Sequence, residues 1–474
     1  MKRGISEITS CDSNPKDPKE EEPEAKRATI SDQASITKRI LDGESLFYTG
    51  AAGTGKTYLL KNVIGKLDEK HGDDSVFVTA PTGIAACHIE GVTIHSFAGL
   101  PPLDNPSVDY IVKNTMKKKN IVERWKAAKV LIIDECSMVD PIIFDGMDMA
   151  ARTCRKQMDV PFGGIQVVLC GDFLQLKPVI KSAGPVGGKE RPTYLFESNA
   201  WEQLIGTTHV YELHEMFRQS DPEFLSALAE LRVGKLSPKS RIFFWKLSEN
   251  VFPPDAEVVD IYTTRDGAAV VNSEHLLRLP GPTVSFEAKD FEPGKKSYGS
   301  GTSKYFASKK KAGGESSLWM APDVLELRVG AQVMLLKNLV PGLLVNGTTG
   351  IVVGFDESTS APIVTFTATN GTKHTMTMAK AVWERKMGRV VVAKRTQYPL
   401  ILSYAITTHK SQGMSLKCVR ASTSGAFEPG QTYVAVSRAT TPEGLKLEGP
   451  IGRIIAPDER VIGFYKKCNL TLAI

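Results

Sequence analysis

Several things are missing from this chain of 474 residues. No apolar run approaches the length of a membrane span, and no apolar signal-peptide core lies near the N-terminus, so neither membrane insertion nor export is expected. Cysteine is scarce and odd in number: Cys11, Cys87, Cys136, Cys154, Cys170, Cys418 and Cys468. No two have the close spacing of a zinc or thioredoxin motif, which argues against a disulfide scaffold and for thiols in a reducing compartment. Neither sign of charge dominates. Lys and Arg number 59 against 53 Asp and Glu, and a net +6 only permits a polyanionic partner. The lysine runs at 117–119, 295–296 and 309–311 read as solvated faces. No internal repeat is visible.

What is present describes an ordinary globular protein, 42% hydrophobic and 24% charged, too long for one core and sized for roughly two to four domains. Residues 1–30 mix acids, bases and prolines with few apolar side chains and read as a disordered tail. That stretch is too acidic for a mitochondrial transit peptide, and Lys26-Arg27 is too short for a nuclear signal. A nuclear location is the expectation, with the mitochondrion as the alternative.

The most informative segment is residues 50–57, GAAGTGKT, a full match to the phosphate-cradling pattern G-x-x-x-x-G-K-[ST]. A short apolar strand (45–49) precedes it and a helical pattern (58–67) follows. Gly50, Ala51, Ala52, Gly53, Thr54 and Gly55 would turn backbone N–H groups towards phosphate oxygens at a helix N-terminus. Lys56 would reach the β- and γ-phosphates, and Thr57 would hold Mg²⁺. The expected ligand is ATP.

Continuous apolar strands at 75–79, 130–133 and 166–169 each run into a polar turn, the pattern of a parallel sheet covered on both faces. Ligands on such sheets bind beyond the strands' carboxyl ends. The strand at 130–133 ends in Asp134-Glu135, which suits Asp134 to Mg²⁺ and Glu135 to the attacking water. The next ends in GDFLQL, where Gln175 is placed to sense the γ-phosphate. After about residue 276 the texture changes. A Gly/Ser/Lys-rich loop (289–318) leads to short β patterns at 332–336, 350–355 and 363–378, the last with Asn370-Gly371 as a hairpin signal. These read as a small antiparallel β-barrel inserted before the α/β texture resumes near Pro399.

With the phosphate loop and the acidic strand end in place, further segments follow in order: TAPTGIAA (79–86), GVTIHSFAGL (91–100), DECSMVDPIIFD (134–145), PFGGIQVVLCGDFLQLKPV (161–179), ELHEMFRQ (212–219), YTTRDGAAVVN (262–272), ITTHKSQG (406–413) and YVAVSRAT (433–440). Over residues 31–450 the chain resembles superfamily 1B DNA helicases, specifically the petite-integration-frequency family, with RecD-like helicases as relatives. Lys177 departs from the pattern, standing where the family commonly has a second proline.

The resemblance implies two RecA-like parallel-sheet lobes with an inserted SH3-like barrel. The division expected is the tail (1–30), a first lobe with a small wedge insertion (31–205), a second lobe in two parts (206–278 and 399–474) and the insertion (279–398). By the same resemblance Gln33 reads adenine, Arg218 and Arg438 approach the γ-phosphate from the second lobe, and Gly413 lies beside ATP. Thr82, Gly83, His95, Ser96 and Phe97 on the first lobe, and His409, Lys410, Ser411 and Gln412 on the second, are assigned to single-stranded DNA. For Phe97, stacking on a base and packing in the core stand open. Arg124-Trp125 reads as structural. The activity implied is an ATP-dependent 5′→3′ helicase, a monomeric motor on single strands and forks, serving replication, repair, recombination or telomeres. The alternatives are a strand translocase that displaces proteins, or a DNA-binding subunit with a decayed motor.

Overall fold

The computed structural model describes residues 24–72, 74–100, 107–178, 192–254, 256–291, 319–340, 343–368, 371–387, 390–422, 428–448, 451 and 455–470. Most of the expected tail, residues 292–318 of the Gly/Ser/Lys loop, Val179 and Asn370 lie outside that set. Helix α1 (Glu24–Leu41) includes the last residues of the expected tail.

Strand β1 (Leu46–Gly50) runs into the phosphate loop and helix α2 (Lys56–His71). There follow β2 (Val76–Ala80), α3 (Gly83–His88), β3 (Val92–Thr93), α4 (Ile94–Ala98), α5 (Val108–Met116) and α6 (Lys119–Ala127). Next come β4 (Val130–Ile133), α7 (Pro141–Arg155), β5 (Gln166–Cys170), α8 (Asn199–Leu204) and β6 (Val210–Leu213). The six strands form one all-parallel sheet ordered β3-β2-β4-β5-β1-β6. The sheet is buried on both faces, which explains strands without polar alternation. Leu131, Ile133, Val167 and Leu169 enter one core with Phe47, while Val130, Ile132, Val168 and Cys170 enter the other with Leu59, Leu60, Val63 and Leu67 of α2. Each such side chain stabilises the lobe by about 1.5–3 kcal/mol.

Strand β6 corrects the expected boundary at 205/206. It pairs with β1 (Phe47 opposite Val210), so the first lobe runs on to Leu213 and the crossing falls in residues 214–221. Beyond it lie α9 (Pro222–Arg232), α10 (Pro238–Leu247), β7 (Val259–Tyr262) and α11 (Arg265–Arg278).

The insertion comprises β8 (Val284–Glu287), β9 (Lys289–Phe291), β10 (Val324–Leu327), β11 (Gln332–Leu335), β12 (Thr349–Phe355), β13 (Pro362–Thr367), β14 (Lys373–Thr377), β15 (Ala381–Met387), β16 (Val390–Gln397) and β17 (Leu400–Leu402). It is antiparallel, as expected, and is arranged as three sheets: β14-β13-β12-β11-β17, β10-β8 and β15-β16-β9. Val333, Val352, Val364 and Phe366 build a core of its own. The β13–β14 hairpin turns at the predicted place, with Thr367 opposite Lys373. Because β17 pairs with β11, the insertion extends to residue 402.

The chain returns through β18 (Ala405–Thr407), α12 (Thr408–Ser411), β19 (Val419–Ser422), α13 (Gln431–Val436), β20 (Leu445–Glu448) and α14 (Glu459–Lys467). Strands β18-β7-β19-β20 make the second parallel sheet. Helix α14 does not stay with that sheet, contrary to the expectation for 399–474. Its Val461, Phe464 and Tyr465 are part of the first lobe's core, where Phe464 stacks on Phe196 with ring centroids 4.3 Å apart. The described cysteines form no disulfide, and no described helix is long and apolar enough to cross a membrane.

Candidate nucleotide-binding cleft

The phosphate loop spans the step from β1 to α2, and its geometry requires glycine. Gly55 caps α2 at φ 80°, and Gly53 has φ 98°, where a Cβ would lie 2.8 Å from Met216 Sδ and 2.9 Å from Arg218 Cβ. Thr54 Oγ1 donates to the Ala51 carbonyl (2.9 Å), and Ala52 N donates to the Tyr433 hydroxyl of α13 (2.8 Å). Lys56 Nζ donates to the carbonyls of Gly50 (2.7 Å) and Ala51 (3.0 Å). Burial lowers its pKa, against the opposing charge of Asp172. Thr57 is half-buried in the first turn of α2. Gln33 and Phe217 both flank Gly55: a Cβ there would lie 3.6 Å from Gln33 Nε2 and 3.2 Å from the Phe217 ring. Phe217 is 59% exposed and was not among the expected site residues.

Asp134 sits buried at the end of β4, and its Oδ1 accepts from Glu135 N (2.9 Å). Glu135 has left-handed backbone angles (φ 49°, ψ 41°), which cost a non-glycine residue about 1–3 kcal/mol and occur at functional sites. Burial, and then the neighbouring Asp134 charge, push the Glu135 carboxyl up to about 7; burial raises Asp134 as well. Gln412 Nε2 of the second lobe donates to Glu135 Oε2 (3.0 Å). At the end of β5, Asp172 is fully buried and accepts from Arg232 Nη2 (3.0 Å) and Nε (3.1 Å) and from Gln175 Nε2 (3.1 Å). Burial works to raise the Asp172 pKa, but Arg232 and Lys56 with these hydrogen bonds hold it below the usual carboxylate value.

Arg218 lies on the crossing segment, which is held to the phosphate loop by Phe217 N donating to the Gly53 carbonyl (3.0 Å). Its guanidinium reaches the second lobe, donating to Ser415 Oγ (2.8 Å) and the Ser437 carbonyl (3.2 Å). The expectation that Arg218 belongs to the second lobe is corrected accordingly. Arg438 is buried and donates to the carbonyls of Val434 (2.7 Å) and Ser411 (3.3 Å). Burial, then the charge of Arg218, lower its pKa to about 9. Gly413 has φ 79°, and a Cβ there would meet nothing within 4 Å.

The residues expected to contact DNA divide. Thr82 caps α3 by accepting from Ala85 N (3.2 Å), Gly83 begins that helix, and His95 is half-buried with its pKa lowered by burial. His409 and Lys410 are half-buried on α12. Ser96 Oγ accepts from Arg385 of the inserted hairpin (3.3 Å). Three others have side chains engaged within the protein, and Phe97 takes the core-packing alternative. Phe97 is fully buried, its ring edge-on to Trp125 at 4.6 Å, so core packing removes it from any base. The Ser411 side chain is buried and donates to the Thr408 carbonyl (2.8 Å). The Gln412 side chain turns into the cleft, where it meets Glu135. Arg124-Trp125 is structural, Arg124 donating to the Ser96 carbonyl (3.0 Å) beside the buried Trp125.

The sequence reading missed Asp172, Arg232, Gln219, Tyr433 and Tyr465. Gln219 Nε2 donates to the carbonyls of Ser437 (3.0 Å) and Ala439 (2.8 Å), and the Tyr465 hydroxyl meets Thr49 Oγ1 (3.2 Å), Phe173 N (2.8 Å) and Asp172 Oδ1 (3.1 Å). Asp172, Gln219 and Tyr433 stand inside the quoted motifs and were within reach; Arg232 and Tyr465 carry no local signal.

Two parallel sheets, a phosphate loop and acidic strand end on one, and arginines reaching the other define a RecA-like P-loop protein. The PIF1-like helicase family model matches residues 28–240, and that of the DNA helicase Pif1 2B domain matches residues 318–355. The ATP-dependent DNA helicase PIF1 of Danio rerio is 37% identical, the match covering 92% of this chain and 63% of that protein. The crystal structure of Pif1 helicase from Candida albicans has TM-score 0.66 at 36% identity, covering 92% of this chain and 98% of that one. Bacteroides Pif1 in complex with ADP-AlF3 and single-stranded DNA has TM-score 0.56 at 29% identity, covering 92% and 96%. The chain belongs to the PIF1-like helicase family. It spans less than two thirds of the length of the Danio rerio relative.

Proposed function

We propose that the chain is an ATP-driven motor that moves 5′→3′ along single-stranded DNA and separates duplexes at forks, as a monomer. The observation that carries this is the union, across two lobes, of Lys56 and Glu135 from the first with Gln412 and Arg438 from the second. A base whose surroundings come from both lobes ties hydrolysis to their approach. The Bacteroides relative holds a nucleotide complex and single-stranded DNA together, and this chain has the corresponding architecture over nearly its whole length.

In this reading Gly50 to Thr57 cradle the phosphates, while Gln33 and the exposed face of Phe217 take the adenine. Glu135 accepts a proton from water as its oxygen bonds to the γ-phosphorus and the bond to the β-phosphate oxygen breaks, releasing ADP. Arg218 and Arg438 stabilise the charge that spreads over the phosphoryl oxygens. Asp134, a buried carboxylate whose charged form burial penalises, suits a cation, with the half-buried Thr57 at the start of α2 as the second protein ligand. One carboxylate and one hydroxyl fit Mg²⁺, which keeps water and phosphate ligands; Thr57 and Asp134 would hold it, and it would neutralise phosphate charge. Thr82, Gly83, His95, Ser96, His409 and Lys410 are the strand-contact set, mostly through phosphate and sugar.

The deciding experiment measures phosphate release with and without single-stranded DNA, then strand separation on 5′-tailed and 3′-tailed forks. Stimulated hydrolysis with release from the 5′-tailed fork is expected. Hydrolysis without release would favour the translocase, and no stimulation would favour the decayed motor.

A further inference from the structure

The hydrogen bond between Gln412 and Glu135 joins residues 277 positions apart, and neither residue's motif accounts for it. Gln412 follows α12, the segment whose neighbours are assigned to the DNA strand, yet its amide enters the nucleotide cleft. The helix that precedes it is held by bonds within the second lobe. Thr407 Oγ1 caps α12 by accepting from Lys410 N (3.2 Å), and Thr408 Oγ1 donates to the Tyr262 carbonyl at the end of β7 (3.2 Å). Ser411 Oγ donates back to the Thr408 carbonyl (2.8 Å), and Arg438 Nη1 donates to the Ser411 carbonyl (3.3 Å).

The backbone of Glu135 is fixed by the first lobe. Asp134 Oδ1 holds its N–H, and its left-handed conformation directs the side chain away from the path a helical or extended residue would take. The base is therefore anchored at its backbone by one lobe and at its carboxylate by the other. A primary amide donating to one carboxylate oxygen sets the carboxylate plane without delivering a proton, so the group keeps its capacity as a base.

We propose that Gln412 is the positioning residue through which the second lobe aims Glu135, making the seating of α12 and the alignment of the base one event. This rests on the reading of Glu135 as the base in a DNA-driven motor. A base misplaced by about 1 Å loses up to a hundredfold in rate, so loss of the amide should cost about tenfold or more in kcat.

The test compares the full chain with Gln412→Met, which keeps the volume and removes the N–H, and Gln412→Ala. ATPase rates are read at saturating oligothymidine, together with the KM for ATP and the oligothymidine Kd by fluorescence anisotropy. Expected are an approximately tenfold or greater fall in kcat, KM and Kd each within about twofold of the parent chain, and an unchanged thermal melt. In single turnover, Gln412→Met should add no further loss to Glu135→Gln, since both act through the same carboxylate. Three results would overturn the proposal: an unchanged kcat; a Kd weakened tenfold with kcat intact, which would return Gln412 to the strand; or losses that multiply in the double variant. Absence of strand stimulation in the parent chain would instead overturn the helicase reading, and the basal kcat would still report on the Gln412–Glu135 pair.

Discussion

Replacing Arg232 by Met should destabilise the folded protein, and the structure sets the scale. Arg232 of α9 gives two hydrogen bonds (3.0 and 3.1 Å) to Asp172, whose side chain is wholly buried, and its third nitrogen lies 3.8 Å from Glu212. Breaking a buried pair from one side leaves a carboxylate uncompensated and costs about 3–5 kcal/mol. Asp172 would keep donors in Leu174 N, Gln175 Nε2 and the Tyr465 hydroxyl, which places the expected loss near the lower end, about 3 kcal/mol. Asp172→Asn combined with Arg232→Met removes the stranded charge and should cost less than Arg232→Met alone. Urea unfolding followed by tryptophan fluorescence, as midpoint and slope, measures both variants. The pH dependence carries a definite sign. The folded pKa of Asp172 is depressed, so its contribution is complete above the unfolded carboxylate value of about 3.9 and is lost as pH falls through the folded value. The Asp172 contribution in the parent chain should be constant from about pH 5 upward, begin to fall below the unfolded pKa and be gone only below the depressed folded value. In Arg232→Met, burial pushes the stranded carboxylate up, so that variant should lack the acid-side loss. A single-variant loss under about 1 kcal/mol, or a double variant worse than the single, would refute the reasoning.

Lys56→Ala should abolish ATP turnover and unwinding while the thermal melt stays normal; retained DNA-stimulated hydrolysis would remove the phosphate loop from the mechanism. Phe97→Ala should lose about 3–5 kcal/mol in chemical denaturation, as its ring is fully buried, with oligonucleotide affinity of the folded protein unchanged in anisotropy. Phe464→Ala should cost a similar amount, and hydrogen exchange should rise in the first lobe around Phe196 and Trp201 more than in the second-lobe strands, because α14 packs on the first lobe. Tyr465→Phe should cost about 1–3 kcal/mol, since Thr49, Phe173 N and Asp172 each lose a buried partner.

The two α/β lobes were legible because their evidence is local. A buried parallel strand is a short apolar run ending in a polar turn, and Val130–Ile133 followed by Asp134-Glu135 shows both within six residues. The phosphate loop was legible for the same reason: its glycines, Lys56 and Thr57 are contiguous, and the function resides in their own backbone. Boundaries were harder. Strand β6 (VYEL) gives no sign of which sheet it joins, and only its pairing with β1 moves it into the first lobe. His95 and Phe97 stand two residues apart in one motif, yet one stays half-buried and the other vanishes into the core. Their difference is set by Trp125 and Phe77, which arrive from other segments.

The sequence by itself determined that a phosphate-loop pattern joins a strand to a helix, that the lobes are parallel α/β sheets and that an antiparallel insertion interrupts the second. Each of these rests on residues adjacent or periodic in the chain. Only the tertiary structure decided that Gln412 meets Glu135, that Arg232 neutralises Asp172, and that Tyr465 closes back on the strand before the phosphate loop. Those partners lie 277, 60 and 416 residues apart, and no periodicity links them. They are brought together because buried carboxylates and hydroxyls must find partners wherever folding delivers them, and that requirement is met only in three dimensions.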